Sequence, residues 1–230
     1  MKKARALVVL FTCVAAVFTH AQDHKTTKFD ANALFQPGMS EMQRSRETCA
    51  KVPGPQFGEC FVQQMQAAGA SPQAVAFMHV LDNNGFMRDF KDTGRVDIAF
   101  VYYPFAANEN QHCLLVNGMP SLMDVDDYKL LPKGELAKNP TYSALLRKFP
   151  NLAVFPGDRS GTQFITAKKL PDGGQSFVVS YVLVDGCHAC ARSGLLQLAF
   201  NFNRAGKFLG AKVAGVRPIG PQPQQPANSH

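Results

Sequence analysis

From Arg95 onward the apolar residues of this 230-residue chain recur at every second position, and that period limits the fold more than any other feature. In "RVDIAFVYY", Val96, Ile98, Phe100 and Tyr102 fall on one face and Arg95, Asp97 and Ala99 on the other, the pattern of a half-buried strand. "HCLLVNG" and "SLMDVDD" read as two further short strands. "TQFITAKKL", the turn "PDGG", "QSFVVSYVLVD", "LLQLAFNFN", the turn "RAG" and "KFLGAKVAGV" read as a meander joined by tight turns. "NPTYSALLRKF" interrupts the strands as a capped helix expected to start after Thr141.

Residues 35 to 92 carry helical signals instead. Ser40 and Glu41 open one candidate, Phe61, Val62 and Met65 mark an apolar face on a second, and Ser71-Pro72 gives an N-cap followed by Pro at the first position of a third. That third helix runs through Val75, Met78 and His79 until "DNNG" ends it. The expected class is therefore α+β, a helical segment followed by a mainly antiparallel sheet over residues 93 to 217. Residues 22 to 34 read as a flexible start. The Pro/Gln-rich residues 218 to 230 read as a disordered tail.

The beginning of the chain speaks for export. Lys2, Lys3 and Arg5 precede the apolar run Ala6 to Phe18, and Thr19-His20-Ala21 ends in the small residue a signal peptidase favours. Cleavage after Ala21 would deliver the chain to a periplasm or the exterior. The run is shorter than the ~20 residues a membrane helix needs, and no later segment is long and apolar enough to cross a bilayer, so no stable membrane span is expected.

Past residue 21 there are 21 basic and 17 acidic residues, a net charge of +4. The basic residues stand singly or in pairs such as Lys168-Lys169, which speaks against nucleic acid as a partner. A hydrophobic share of 46% with a mean hydropathy of -0.12 suits a globular domain. Nothing in this composition sets the oligomeric state.

An oxidising compartment makes the cysteines informative. Beyond residue 21 there are five, Cys49, Cys60, Cys113, Cys187 and Cys190, so at least one is not in an internal bridge. The simplest pairing joins Cys49 to Cys60 across "KVPGPQFG" and Cys187 to Cys190, leaving Cys113 over. A Cys before "LLV" suits core packing, although His112 beside it also invites a nucleophile reading.

"VDGCHACARSG" carries the most chemistry. A C-x-x-C serves as a redox couple, half of a zinc site, a haem attachment or a covalent clip. Haem attachment needs His directly after the second cysteine, where Ala191 stands. A redox pair needs a helix N-terminus behind it to stabilise the thiolate, and alternating strands flank this motif. Zinc would need further ligands at motif spacing. A disulfide-closed turn displaying Cys187, His188, Cys190 and Arg192 is the favoured reading, either as pure structure or as a recognition loop. It encloses two residues, so its loop-entropy effect is small and its benefit is a fixed shape.

A strand, a Cys-loop-Cys with an internal His, and an apolar strand followed by a glycine-containing turn, over residues 176 to 210, resemble the periplasmic inhibitors of vertebrate-type lysozyme. That resemblance implies an antiparallel sheet presenting Cys187, His188 and Cys190, with the histidine entering a lysozyme cleft. Other constellations are weaker. "DVDD", Asp124 to Asp127, can meet a cation or cap a helix. "DNNGFMRDFKDTG" misses the calcium-loop glycine spacing, and Ser160 in "DRSGT" lacks the nucleophile elbow. "YYPFAANENQHC" is long enough to line a pocket.

The expectation is thus an exported, non-catalytic binding or inhibitory module needing no cofactor or metal, with a protein or envelope component as its partner. A periplasmic thiol-disulfide oxidoreductase or thiol sensor using the C-x-x-C is the alternative, and a structural envelope protein a further one.

Overall fold

A computed structural model describes residues 28–54, 56–106, 110–159, 161–187 and 190–220. The expected leader (residues 1 to 21), Ser160, His188 and most of the expected tail lie outside the described residues.

Three helices come first: α1 (Met39–Cys49), α2 (Gln56–Ala67) and α3 (Pro72–Val80). The Ser71 side chain accepts from Ala74 N, and Pro72 occupies the first turn, where its missing N–H costs nothing. A four-stranded antiparallel sheet follows in the order β1 (Phe86–Lys91), β2 (Asp97–Tyr102), β3 (Gln111–Val116), β4 (Leu122–Asp124). Two short helices, α4 (Lys133–Lys138) and α5 (Pro140–Lys148), lead to the second sheet. It contains β5 (Leu152–Pro156), β6 (Ile165–Lys169) and the eleven-residue strands β7 (Gln175–Asp185), β8 (Arg192–Phe202) and β9 (Phe208–Pro218). β5 and β6 pair with different stretches of β7, while β8 and β9 continue the sheet beyond it. The class is α+β with antiparallel meanders, as its sequence indicates.

The two sheets share the main core. Val96, Ile98, Phe100, Cys113 and Leu115 from the first meet Phe177, Val179, Leu183, Leu196, Leu198, Phe200 and Phe202 from the second, with Leu136 of α4 and Leu145 of α5 at its margin. Phe177, Phe200 and Phe202 are fully buried, each worth about 1.5–3 kcal/mol relative to exposure. Gly194 marks where α5 meets β8: a Cβ there would lie 2.9 Å from Arg217 O and 3.0 Å from Leu145 Cδ1. The other face of the first sheet presents Met87, Ala99, Val101, Leu114 and Val116 to Phe77 and Leu81. The order of layers is helices, small sheet, large sheet.

Two buried polar groups pin the first sheet. Gln175 Oε1 accepts from Arg95 N (3.0 Å) and Val96 N (2.8 Å), while its Nε2 donates to Thr93 O and Val96 O (both 3.0 Å). Asp97 is fully buried and accepts from Thr93 N (2.9 Å), Gly94 N (3.2 Å) and Asn117 Nδ2 (2.7 Å). Gln175 and Asp97 are themselves buried, and these bonds satisfy side-chain polar atoms that would be costly to bury unpaired.

Several expectations need correcting. β2 is not half-buried: Ile98 and Phe100 enter the inter-sheet core while Ala99 and Val101 face the helices, because a central strand between two layers has no solvent face. The helical segment expected over 35 to 92 ends at Val80, and Phe86–Lys91 is a strand. Within the expected flexible stretch 22 to 34, Phe29 is buried edge-on against Phe77 and its N–H donates to Asn117 Oδ1. The "NPTY" helix begins at Pro140, not after Thr141, with the Asn139 side chain accepting from Tyr142 N. β9 extends through Pro218, one residue into the expected tail.

Candidate functional site

The C-x-x-C occupies the turn between β7 and β8. Near their ends the two strands pair Leu183 with Gly194 and Val184 with Arg192, so Ser193 is the extra residue of a bulge. Asp185 ends β7, and its Oδ1 is buried without a hydrogen-bond partner among the described residues. Gly186 follows at φ +95°, a left-handed conformation that glycine adopts without strain, and its N–H donates to Asn151 O at 3.1 Å.

Cys187 and Cys190 are bridged, with Cα atoms 5.1 Å apart. Within the turn Cys190 N donates to Cys187 O (2.9 Å) and Cys187 N to Cys190 Sγ (3.3 Å). Cys187 is exposed, Cys190 half-buried, and Arg192, exposed, opens β8. The fold therefore brings Cys187, Cys190 and Arg192 together at one end of a long hairpin. His188 lies between the cysteines in sequence but outside the described residues. The element after Cys190 is the strand β8, so the motif is not followed by the helix N-terminus that lowers a thiol's pKa in redox pairs.

The other predicted bridge, Cys49–Cys60, joins the last turn of α1 to α2 with Cα atoms 5.7 Å apart. Cys113 is a fully buried thiol in the inter-sheet core. Burial pushes it well above its ordinary pKa, with the Asp126 charge adding to the effect. A thiol held protonated and sealed from solvent is a packing group and a poor nucleophile.

"DVDD" divides its carboxylates among three tasks. Asp124 Oδ2 meets His112 Nδ1 at 2.7 Å, and its Oδ1 accepts from Asp126 N at 2.9 Å. Asp127 accepts from Lys129 N and caps a short 3-10 turn, one of the two expected roles. Asp126 is nearly buried and paired with Arg159: Nη2 donates to Oδ1 at 2.6 Å and Nε to Oδ2 at 3.2 Å. Arg159 Nη1 also donates to Ser180 O on β7 at 2.9 Å, and the guanidinium lies over Phe164 and Tyr181. Burial raises the Asp126 pKa above the usual carboxylate value, and the guanidinium offsets part of that rise.

His112, Asp124 and Asp126 place ligand atoms within 4.8 Å of one another, a spacing compatible with a metal ion. The guanidinium of Arg159 already serves as the cation there, using both Asp126 oxygens. The cluster ties the turn after β4 to β7 and is an inter-sheet bolt. No local pattern in the sequence announces Arg159, because its partner lies 33 residues away.

Comparison with known protein families, with curated proteins and with solved structures returns no match for this chain.

Proposed function

We propose that this protein is an exported, non-catalytic binding or inhibitory module that engages its partner through the Cys187–Cys190 turn. The observation that carries this reading is the turn itself: a bridge and two hydrogen bonds join Cys187 to Cys190 at the exposed end of a hairpin of two eleven-residue strands. A recognition loop fixed before binding loses less entropy on association than a flexible one. Two bridged pairs, one of them inside the helical layer, support residence in an oxidising compartment. The groups that catalysis would draw on support a non-catalytic role, since Cys113 is sealed and the Asp126 and Asp124 carboxylates are committed to Arg159 and His112.

The resemblance to inhibitors of vertebrate-type lysozyme makes such a lysozyme the partner to test, with His188 as the inserted side chain and Arg192 beside it. The expected result is dose-dependent inhibition of muramidase activity by the mature protein, lost in H188A and weakened in C187S/C190S, with the circular dichroism of H188A unchanged. Undiminished lysozyme activity at large molar excess, or full inhibition by H188A, overturns the proposal.

A further inference from the structure

One end of the first sheet is assembled from segments far apart in the chain, and each is held by polar groups rather than by apolar packing alone. Asn117, at φ +66°, a left-handed conformation that asparagine tolerates, clasps Phe29 at both of its backbone groups. Its Oδ1 accepts from Phe29 N and its Nδ2 donates to Phe29 O, both at 2.8 Å. Gln175 and Asp97 hold the turn between β1 and β2. The turn between β3 and β4 is tied to the one between β8 and β9: Met119 N donates to Gly206 O at 2.8 Å, and Met119 O accepts from Phe208 N at 2.9 Å. A Cβ at Gly118 would lie 3.1 Å from both Gly206 O and Val96 Cγ2, so glycine permits this close approach.

Between these fixed segments lies a cleft of about 360 Å³, walled by Lys28, by Gly94 and Arg95, and by residues 117 to 121. Its size falls within the ~300–1,000 Å³ common for small-molecule sites. Arg95 donates through Nε to Ala205 O at 3.2 Å, which anchors the head and leaves both Nη groups without an acceptor among the described residues. Lys28 Nζ stands 3.9 Å from Asp97 Oδ2, beyond hydrogen-bond reach, with 63% of its side chain exposed. Ser121, also exposed, adds a hydroxyl from the third wall. No carboxylate lines the cleft among the described residues. Asp92 and Asp97, near it in the chain, accept backbone and amide N–H groups instead: Asp92 from Gly94, Asp97 from Thr93, Gly94 and Asn117. Lys28 therefore balances Asp97 through space, and Arg95 is the surplus charge.

Donors on three separate walls suit an anion whose acceptors point in several directions, as those of a tetrahedral oxyanion do, better than a planar carboxylate. A guanidinium and an ammonium are the side chains that bind such groups most strongly. Because the walls are fixed before anything enters, association costs little further ordering. We propose that this cleft binds a tetrahedral oxyanion, phosphate or sulfate, carried as an ester on a small polar ligand. The anion meets Arg95, Lys28 and Ser121, and the rest of the ligand lies along Met119 and Pro120, which complete the lining. The cleft is larger than the anion alone requires, which leaves room for the alcohol of the ester.

Amide-resolved NMR titration of the mature protein at neutral pH tests this, with sodium phosphate and sodium sulfate as the probes and sodium acetate as the planar anion. Saturable shifts of the Gly94, Gly118 and Ser121 amides are expected with phosphate or sulfate, and at least about tenfold weaker binding of acetate, the size of losing one charge-assisted contact. Tighter binding of phosphate assigns a phosphate ester, tighter binding of sulfate a sulfate ester. R95Q should weaken the preferred anion at least about tenfold by the same reasoning. S121E, at an exposed position, should abolish binding by placing a carboxylate in the cleft while the amides of the inter-sheet core keep their shifts. R44Q removes one charge from the exposed side of α1, the helix held to Pro104 beyond the other end of β2, and should change nothing. No saturable shift with either oxyanion, acetate bound as tightly, affinity unaltered in R95Q or in S121E, or a loss in R44Q equal to that in R95Q overturns the proposal.

Discussion

The inter-sheet layer and the helical layer are held together by different means. Between the sheets, twenty buried residues form one apolar cluster, and the Arg159–Asp126 pair crosses it beneath Phe164 and Tyr181. On the side of α2 and α3 that meets α1, the corresponding cluster among the described residues has six buried members, Phe61, Val62, Met65, Val75, Met78 and Phe86, while Phe77 of α3 joins a separate cluster against the small sheet. α1 contributes its half-buried Met42 at the margin of that cluster, and a disulfide anchors its last turn. A large core tolerates a buried ion pair and uses it to set register; a thin one gains most from a covalent link that restricts the unfolded chain.

The test with the largest expected effect strikes the sheet interface. R159A would leave the Asp126 carboxylate buried without its cation and remove a donor from Ser180 O, so about 3–5 kcal/mol should be lost in urea unfolding. Replacing both partners separates charge from packing. D126L/R159M should recover most of that loss, because an apolar pair of similar volume avoids the cost of burying two ions. If R159A unfolds at the wild-type midpoint, the bolt contributes nothing and apolar packing alone sets the sheet spacing.

The same contrast explains what could be read in advance. β8 is legible because one face of the large sheet lies in the core and burial alternates along most of its eleven residues, and β7 is legible from its run of β-branched and aromatic residues, although its burial does not alternate. β2 misled because both its faces are covered, so Ala99 and Val101 occupy what looks like a solvent side. β1 fits neither period, since the bulge at Arg88 breaks the alternation inside six residues. α4 buries only Leu136, and β5 is five residues long, too little for a periodic signal. The Cys49–Cys60 and Cys187–Cys190 bridges were legible from spacing and compartment. The Arg159–Asp126 pair was not, because its members lie 33 residues apart and only the fold brings them together.

A middle-sized effect should distinguish the two bridges. In the chain-entropy treatment a link over the Cys49–Cys60 separation of 11 contributes roughly 3 kcal/mol, and one over the Cys187–Cys190 separation of 3 roughly 2 kcal/mol. C49S/C60S should therefore lower stability more than C187S/C190S, and hydrogen exchange should show where. In C49S/C60S the amides of α1 should lose protection while β7 and β8 keep theirs, because the sheet core does not depend on the helical staple. Equal protection of α1 with and without the bridge would mean that α2 and Met42 hold it unaided.

The smallest effect lies where the two layers' loops meet. Tyr103, just beyond β2, has its ring edge-on to His112 at 4.9 Å between centroids. Burial, and then the Asp124 and Asp82 charges, push its phenol from 10.0 up to about 12. The folded protein therefore retains a proton across that interval which the unfolded chain gives up near pH 10. Its contribution to stability is fully present below pH 10 and is lost as the pH rises through about 12, since protons bound only in the native state make stability fall with pH. Y103F keeps the ring against His112 and removes the titration. Its urea midpoint should track the wild type at neutral pH and fall less steeply in alkali, with Tyr181 and Cys113, both raised by burial, supplying the slope that remains. Parallel curves for the two proteins up to about pH 12 would assign the alkaline loss to those groups of the inter-sheet core and none of it to Tyr103.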